Sequence, residues 1–389
     1  MSGGGAVSGT PVLNGGPVVI IGGGVVGLSI AFHLAEAGYP EVTGLERGLI
    51  GEGTTARATG GIRQQFTSEV NVRMVRDSVE FFTRFAEHTG HPLDFRQHGY
   101  LFLLSTEQQL EAFRAAADMQ RRNGVPTELL APDDVLAINP RIRVTDLLGA
   151  AYCATDGSAS PNDAVQGFAR AARARGARIL QHTEATAIAV VDGAVRGVRT
   201  ATGQRFEAEV VLIATGPQAR HTGQLAGVEL PVAPHRRQAF AIAAPPWLTR
   251  DLPFTVDLSS GAYVHSEVVG GNDRDVPEGT DTDVDWSLTG PLIEALVHRI
   301  PAMADASIIR GWAGLREMTP DDHAIVGPVP EVPGLWTAVG FSGHGFMQSP
   351  AVGAQVSRWL LRGRPSIDLG ALRLARFAER ELVVEGVRF

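Results

Sequence analysis

Three glycines and one acid set the first chemical expectation. Gly22, Gly24 and Gly27 follow the apolar run Val18-Val19-Ile20-Ile21 in G-x-G-x-x-G spacing, with Val25 and Val26 between the last two. In such a turn the first glycine reverses the chain and the second lets a pyrophosphate approach the backbone. The third lets helix and strand pack closely. The apolar helix that follows aims free N–H groups and a positive dipole end at the same point. Glu46 closes the next short strand, Val42–Leu45, with Arg47 behind it. An acid about 20 residues beyond the turn is placed to bond a ribose hydroxyl. Strand, turn, helix, strand and acid in this order predict a dinucleotide site.

Several other chemistries find no support. All 34 basic residues are arginine, so a Schiff-base lysine or a lysine general base cannot exist here. No His, Cys and Asp spacing suggests a metal, and no Gly-x-Ser-x-Gly elbow carries a triad. The net charge of −8 gives a nucleic acid no electrostatic hold. No apolar run reaches the length of a membrane span. The one cysteine, Cys153, excludes an internal disulfide and fits a reducing, cytoplasmic setting. Residues 1–16 read as a disordered Gly/Ser-rich leader.

The elements needed to position a cofactor lie at both ends and in the middle of the chain. After the first βαβ unit come a helix near Glu69 to Glu87, a strand over His98 to Leu104 and a polar helix from Thr106 to Asn123. A second apolar strand, Val210–Ile213, ends at Ala214-Thr215-Gly216 and follows a β-meander from Thr186 to Glu209, with Ala185 at its edge. Strands near Phe240, Phe254, Ala262 and Val268, an acidic loop Asp273–Asp285 and a helix Leu292–Ile300 suggest a separate sheet. A last strand, Trp336–Gly340, leads into a glycine-rich loop and a helix from Pro350 to Leu361. The expectation is an α/β protein with a discontinuous Rossmann-like cofactor domain (17–94, 155–232 and 311–389). Its substrate domain (95–154 and 233–310) would hold an antiparallel sheet and helices. A meander before the second glycine turn favours FAD over NAD. The late helix would then aim its N-terminus at the flavin ring.

Four segments carry a resemblance: Gly22-x-Gly24-x-x-Gly27, Gly60-Gly61-Ile62-Arg63-Gln64-Gln65-Phe66, Gly314-Leu315-Arg316 with Thr319-Pro320-Asp321, and Gly340-Phe341-Ser342-Gly343-His344-Gly345-Phe346. Together they resemble the D-amino-acid oxidase superfamily, and within it the glycine oxidase and sarcosine oxidase group. The resemblance covers nearly all of the chain after residue 16. It implies FAD, oxidation of an amine Cα–H by hydride transfer to the flavin, and hydrolysis of the imine. It also implies that Arg316 holds a substrate carboxylate, with Arg63 a second candidate, since a guanidinium fork matches a carboxylate. His344 would sit at the flavin as a hydrogen-bond donor or local positive charge, and Tyr263 would face substrate, with His265 sharing its face. For each arginine a structural ion pair stays open, and for Tyr263 a core role. Thr54, Thr55, Gly60, Gly61, Ile62, Gly314, Gly343, Gly345, Phe346 and Met347 complete the expected flavin contacts.

Two departures matter. Gly314 stands where monomeric sarcosine oxidases attach flavin through cysteine, which implies non-covalent FAD. Met347 stands where they place a lysine that helps hold the carboxylate, so the pocket is more apolar. A further lysine, which the resemblance credits with oxygen activation beside the flavin, cannot exist in this chain, and O2 as acceptor loses that cation. The expected substrate is a small amino acid with a carboxylate, a glycine substituted on nitrogen. An N-carboxymethyl amino acid of secondary metabolism is one form of it. A dehydrogenase subunit that passes electrons to a partner, and a non-catalytic FAD module, remain the alternatives.

Overall fold

The computed structural model describes residues 12–271, 276–383 and 385–386. Its central layer is a six-stranded sheet built around Val18–Ile21 (β1), which pairs in parallel with Val42–Leu45 (β2) on one side and with Val210–Ile213 on the other. Arg178–Leu180 extends the β2 edge in parallel. Leu335–Val339 and the antiparallel Ile325–Pro328 extend the opposite edge. Every residue of β1 is buried, as a strand covered on both faces must be. The period-2 alternation divides it between two cores. Val18 and Ile20 pack with the helices Val25–Glu36 (α1), Pro161–Ala174 and Gly345–Arg362. Val19 and Ile21 pack with Ile188, Val195 and Val198 of the three-stranded meander.

The second layer is an eight-stranded sheet. Its order is Ser307–Met318, Ala233–Ala243, Val268–Gly270, Tyr263–His265, Phe254–Asp257, Tyr100–Leu104, Gly149–Cys153 and Thr127–Leu130. All its pairs are antiparallel except Phe254–Asp257 with Tyr100–Leu104. Strand Ser307–Met318 is absent from the sequence expectation. It carries two glycines and no clean apolar alternation, because one of its faces borders an open cleft instead of a core. The expected domain boundary at residue 311 falls inside it.

Two further expectations are corrected. The last helix begins at Gly345, with Pro350 inside it. Proline cannot donate to the carbonyl four residues back. Here that carbonyl, on Phe346, accepts from Ser349 Oγ at 2.9 Å instead. The leader is also shorter than expected. Residues 1–11 lie outside the described residues, but the Val12 and Leu13 amides donate to Leu360 O, Leu13 is buried, and the Asn14 and Gly16 amides donate to Glu209. Of the acidic loop, residues 273–275 lie outside the described residues, while Asp281 and Asp285 both reach Arg236.

Candidate active site

The glycine turn is shaped by two different demands. A methyl group at Gly22 would overlap the Ala214 carbonyl, and Gly22 has φ +116°. One at Gly27 would overlap the Gly22 carbonyl. The chain's own packing therefore requires these two glycines. Gly24 differs: a methyl there would meet only Thr55 Oγ1, at 3.5 Å. Internal packing leaves that spot open, as the approach of a pyrophosphate to backbone requires. The α1 N-terminus begins beside it, with the Val25 amide donating to Thr55 Oγ1 at 3.3 Å and the Val25 and Val26 side chains buried in the core. Glu46 lies at the turn too. Its carboxylate accepts from the Gly23 and Gly48 amides, each at 2.8 Å. Thr215 and Gly216 follow Ala214 at the end of the neighbouring strand. These residues fit a dinucleotide: a bare backbone floor, a helix N-terminus and an acid at the ribose position.

A cleft of about 910 Å³, partly open to solvent, lies between the two sheets. Its walls include Thr54, Gly60, Gly61, Arg63, Tyr263, Gly314, Arg316, Gly343, His344, Phe346 and Met347. Eleven residues named from the sequence thus meet at one place. Ile62 is fully buried in the core beside it, and Gly345 opens the late helix. Arg47 is exposed at the end of β2, and Ala185 sits in the meander opposite Thr200, so neither joins the cleft.

Arg63 is 5% exposed, with Phe66 under its guanidinium at 4.1 Å and Phe102 at 5.7 Å. Its Nη1 donates to Gln65 O at 2.7 Å, and its Nη2 lies 3.2 Å from His344 Nε2. Arginine has no lone pair to offer, so His344 Nε2 accepts and the ring proton sits on Nδ1. Burial first, then the charges of Arg63 and Arg316, hold His344 well below its ordinary value. His344 is therefore neutral. Of its two expected roles, hydrogen-bond donor and local positive charge, only the donor remains.

Arg316 comes from the opposite wall, on Ser307–Met318. Its side chain crosses to Gly343, where a methyl group would lie 2.8 Å from Arg316 Nε. Gly343 also has φ +95°, so glycine is required twice over. Next on the strand, Glu317 turns away from the cleft and accepts from the Gly340 amide at 2.8 Å. Burial pushes its carboxyl up to about 7.

Tyr263 is buried with its hydroxyl against Gly270 and its ring 5.2 Å from Phe254. His265 does not share the cleft. It stacks behind Phe254 at 4.9 Å, with Nε2 3.0 Å from Ser158 Oγ, and burial lowers it to about 3. Sequence reasoning missed Arg57, Arg237, Tyr100 and Trp312, which also line the cleft. The usable signal for Arg237 was alternation along Ala233–Ala243, visible only once that strand's full length is known. Cys153 is buried in Gly149–Cys153 and lines no part of the cleft.

The chain is similar over most of its length to known proteins. Human mitochondrial sarcosine dehydrogenase is 30% identical over 92% of this chain, which spans only 41% of that protein. A Paenarthrobacter nicotinovorans 4-methylaminobutanoate oxidase is 26% identical over 92% of the chain and 45% of that protein. The chain thus spans less than half the length of these two relatives. Among solved structures, L-proline dehydrogenase from P. horikoshii superposes with a TM-score of 0.88 at 33% identity, covering 94% of this chain and 99% of that one. Glycine oxidase from Geobacillus kaustophilus gives 0.81 at 28% identity, covering 93% and 98%. The model of the DAO family, described as FAD dependent oxidoreductase, matches residues 17–359. With both glycine turns and the arginine-lined cleft inside that span, the chain belongs to the DAO family of FAD-dependent oxidoreductases.

Proposed function

We propose that this amine oxidoreductase acts on a small secondary amino acid, a glycine substituted on nitrogen, and binds FAD non-covalently in a cytoplasmic setting. Bound FAD supplies a hydride acceptor at its N5. The protein's part is placement. The Gly22–Gly27 turn, Glu46 and the α1 N-terminus take the dinucleotide, while Thr54, Thr55, Gly60, Gly61 and the Gly343–Met347 segment border the flavin. Arg316 takes the substrate carboxylate as a bidentate fork and so orients the Cα–H within a near-attack distance of roughly 3–3.5 Å. Neutral His344 donates through Nδ1–H, and buried Arg63 keeps it in that tautomer. The amine binds unprotonated, so no general base is needed. Water then releases the amine from the imine. With O2 as acceptor the balance is R–NH–CH2–COO⁻ + O2 + H2O → R–NH2 + OHC–COO⁻ + H2O2.

The observation that carries this reading is Arg316 reaching across the cleft to Gly343, beside His344 and Arg63. Anaerobic mixing of the holoenzyme with sarcosine, glycine, proline and an N-carboxymethyl amino acid should bleach the flavin with at least one of them. Arg316→Lys, which keeps charge but loses the fork, should lower kcat/KM about 100-fold with FAD content retained, the cost of a lost charged bidentate contact. Absence of bleaching with every amine would overturn the reading. The absence of any lysine from the chain, and so of a lysine cation beside the flavin, supports a second reading in which electrons pass to a protein partner. Turnover with an artificial acceptor but no peroxide would favour it.

A further inference from the structure

Strands Tyr100–Leu104 and Phe254–Asp257 give the cleft an aromatic floor. Tyr100 and Phe254 pair in parallel register, and Val256, two residues beyond Phe254, pairs with Tyr263. Directly paired residues project to one side of a sheet, as do residues two apart on one strand. Tyr100, Phe254 and Tyr263 accordingly line the cleft together. Phe254 stacks on Tyr100 at 4.3 Å, and Phe102, on the same face, lies 5.3 Å from it. These contacts fix the Tyr100 ring. Gly61 passes over the floor without a side chain: a methyl there would lie 3.1 Å from Phe254 Cε2 and 3.5 Å from Tyr100 Cε2.

The two tyrosines differ in what their hydroxyls do. Tyr263 turns its own against Gly270. The Tyr100 hydroxyl bonds to none of the described residues. Nor is it sealed in the interior, as the unpartnered polar atoms of Gln65, Gln120, Thr127, Trp247 and His265 are. Tyr100 is otherwise buried, so its hydroxyl opens on the cleft that the residue lines. Burial raises the phenol above its ordinary value, and Arg63, Tyr263, Asp156 and Arg316 all reach it electrostatically. It therefore stays neutral and can donate. Asp156, the carboxylate in reach, is held instead by Gln64 and Gln65.

We infer that Tyr100, and not Tyr263, is the substrate-contacting tyrosine: its hydroxyl donates to a carboxylate oxygen of the bound amino acid from the floor, while Arg316 holds that carboxylate from the wall. An open donor beside arginines is complementary to a carboxylate, and a charged acceptor makes the stronger hydrogen bond. An arginine fork leaves a carboxylate free to tilt about the line through its two oxygens. A donor from a second direction stops that tilt and so helps fix which Cα–H faces the flavin. This inference rests on the amine-oxidation reading for the identity of the ligand, but the contact itself is tested by binding alone.

The oxidised holoenzyme is titrated with propionate and with propionamide, read from the flavin absorbance band. Tyr100→Phe keeps the stacked ring and removes only the hydroxyl. It should raise the propionate Kd about tenfold or more, the loss of one hydrogen bond to a charged group, and the propionamide Kd by a clearly smaller factor. Tyr263→Phe should weaken propionate less. With no protein partner to lose, Tyr100→Phe should keep its FAD content and melt as wild type does. An unchanged propionate Kd in Tyr100→Phe, equal losses for both probes, a larger loss in Tyr263→Phe, or a wild-type enzyme blind to propionate would overturn the inference. So would a destabilised Tyr100→Phe, since the hydroxyl would then have a protein partner. The expected losses in an enzyme that oxidises no amine would leave the contact standing and remove the amine-oxidation reading.

Discussion

The nucleotide turn and the substrate cleft are built in opposite ways. At the turn, most partners lie within one short stretch, Gly22 to Glu46: Gly27 packs on Gly22, and Glu46 binds the Gly23 amide, with Ala214 of the neighbouring strand closing on Gly22. At the cleft, Arg63 meets His344 across 281 positions. The turn's geometry is dictated by backbone sterics that only glycine satisfies. The cleft's geometry is dictated by where two sheets and a late helix happen to meet. The first should fail through folding, the second through chemistry.

The glycines offer the sharpest way to break this contrast. Gly22→Ala forces a methyl into the Ala214 carbonyl at φ +116°, which should cost about 3 kcal/mol or more and leave little folded protein. Gly24→Ala meets only Thr55 Oγ1 at 3.5 Å. It should melt within about 1 kcal/mol of wild type yet lose FAD affinity. Thermal melts of the apoprotein, followed by FAD titration, separate the two. If both variants melt alike, Gly24 has no distinct role toward a ligand.

A smaller effect is expected in the cleft. Arg63→Met keeps the space between Phe66 and Phe102 filled while removing the donor to His344 and one of the charges that depress it. In wild type, His344 stays neutral and adds no limb to the pH profile of kcat/KM. In the variant its pKa rises toward the ordinary 6.5, so activity should fall as pH drops through the new value. At pH 8, kcat/KM should be down roughly ten- to hundredfold, as for a lost charged hydrogen bond. An unchanged profile shape would show that Arg63 does not act through His344.

The smallest effect separates stability from function on one strand. Glu317 is pushed from 4.5 up to about 7 by burial. Between those values the folded protein binds more protons than the unfolded chain. Stability therefore rises as pH falls through that window, and the burial cost is felt in full above it. The slope is at most roughly 1.4 kcal/mol per pH unit. Asp156, raised to about 6 by burial, adds slope of the same sign. Glu317→Gln can still accept from the Gly340 amide, and should flatten the melting temperature between pH 7.5 and 5.5 by an amount near 1 kcal/mol. A slope equal to wild type would mean the carboxyl is not buried in solution.

The sequence expectation succeeded where chemistry and neighbourhood coincide. β1, α1 and β2 were legible because an all-apolar strand, a glycine turn and an apolar helix are local patterns. It failed at Pro350, because the Ser349 hydroxyl relieves the carbonyl that proline cannot serve. It missed Ser307–Met318 because that strand presents a face to a cleft and lacks the alternation of a core strand. It placed His265 with Tyr263 because period 2 is a rule of the strand alone, and nothing local shows Phe254 standing between His265 and the cleft.

By itself, then, the sequence determined a dinucleotide turn, a chain without lysine, and the identities of Arg63, Arg316 and His344. Those properties depend on residue type and on neighbours a few positions away. Only the tertiary structure decided that Arg63 holds His344 in one tautomer, that Gly343 is bare to admit Arg316, and that Arg57 closes over Gly314. Charge state and shared faces follow from burial and strand register. Both are set by residues between 27 (Arg316 and Gly343) and 281 (Arg63 and His344) positions apart, beyond the range over which any local pattern carries information.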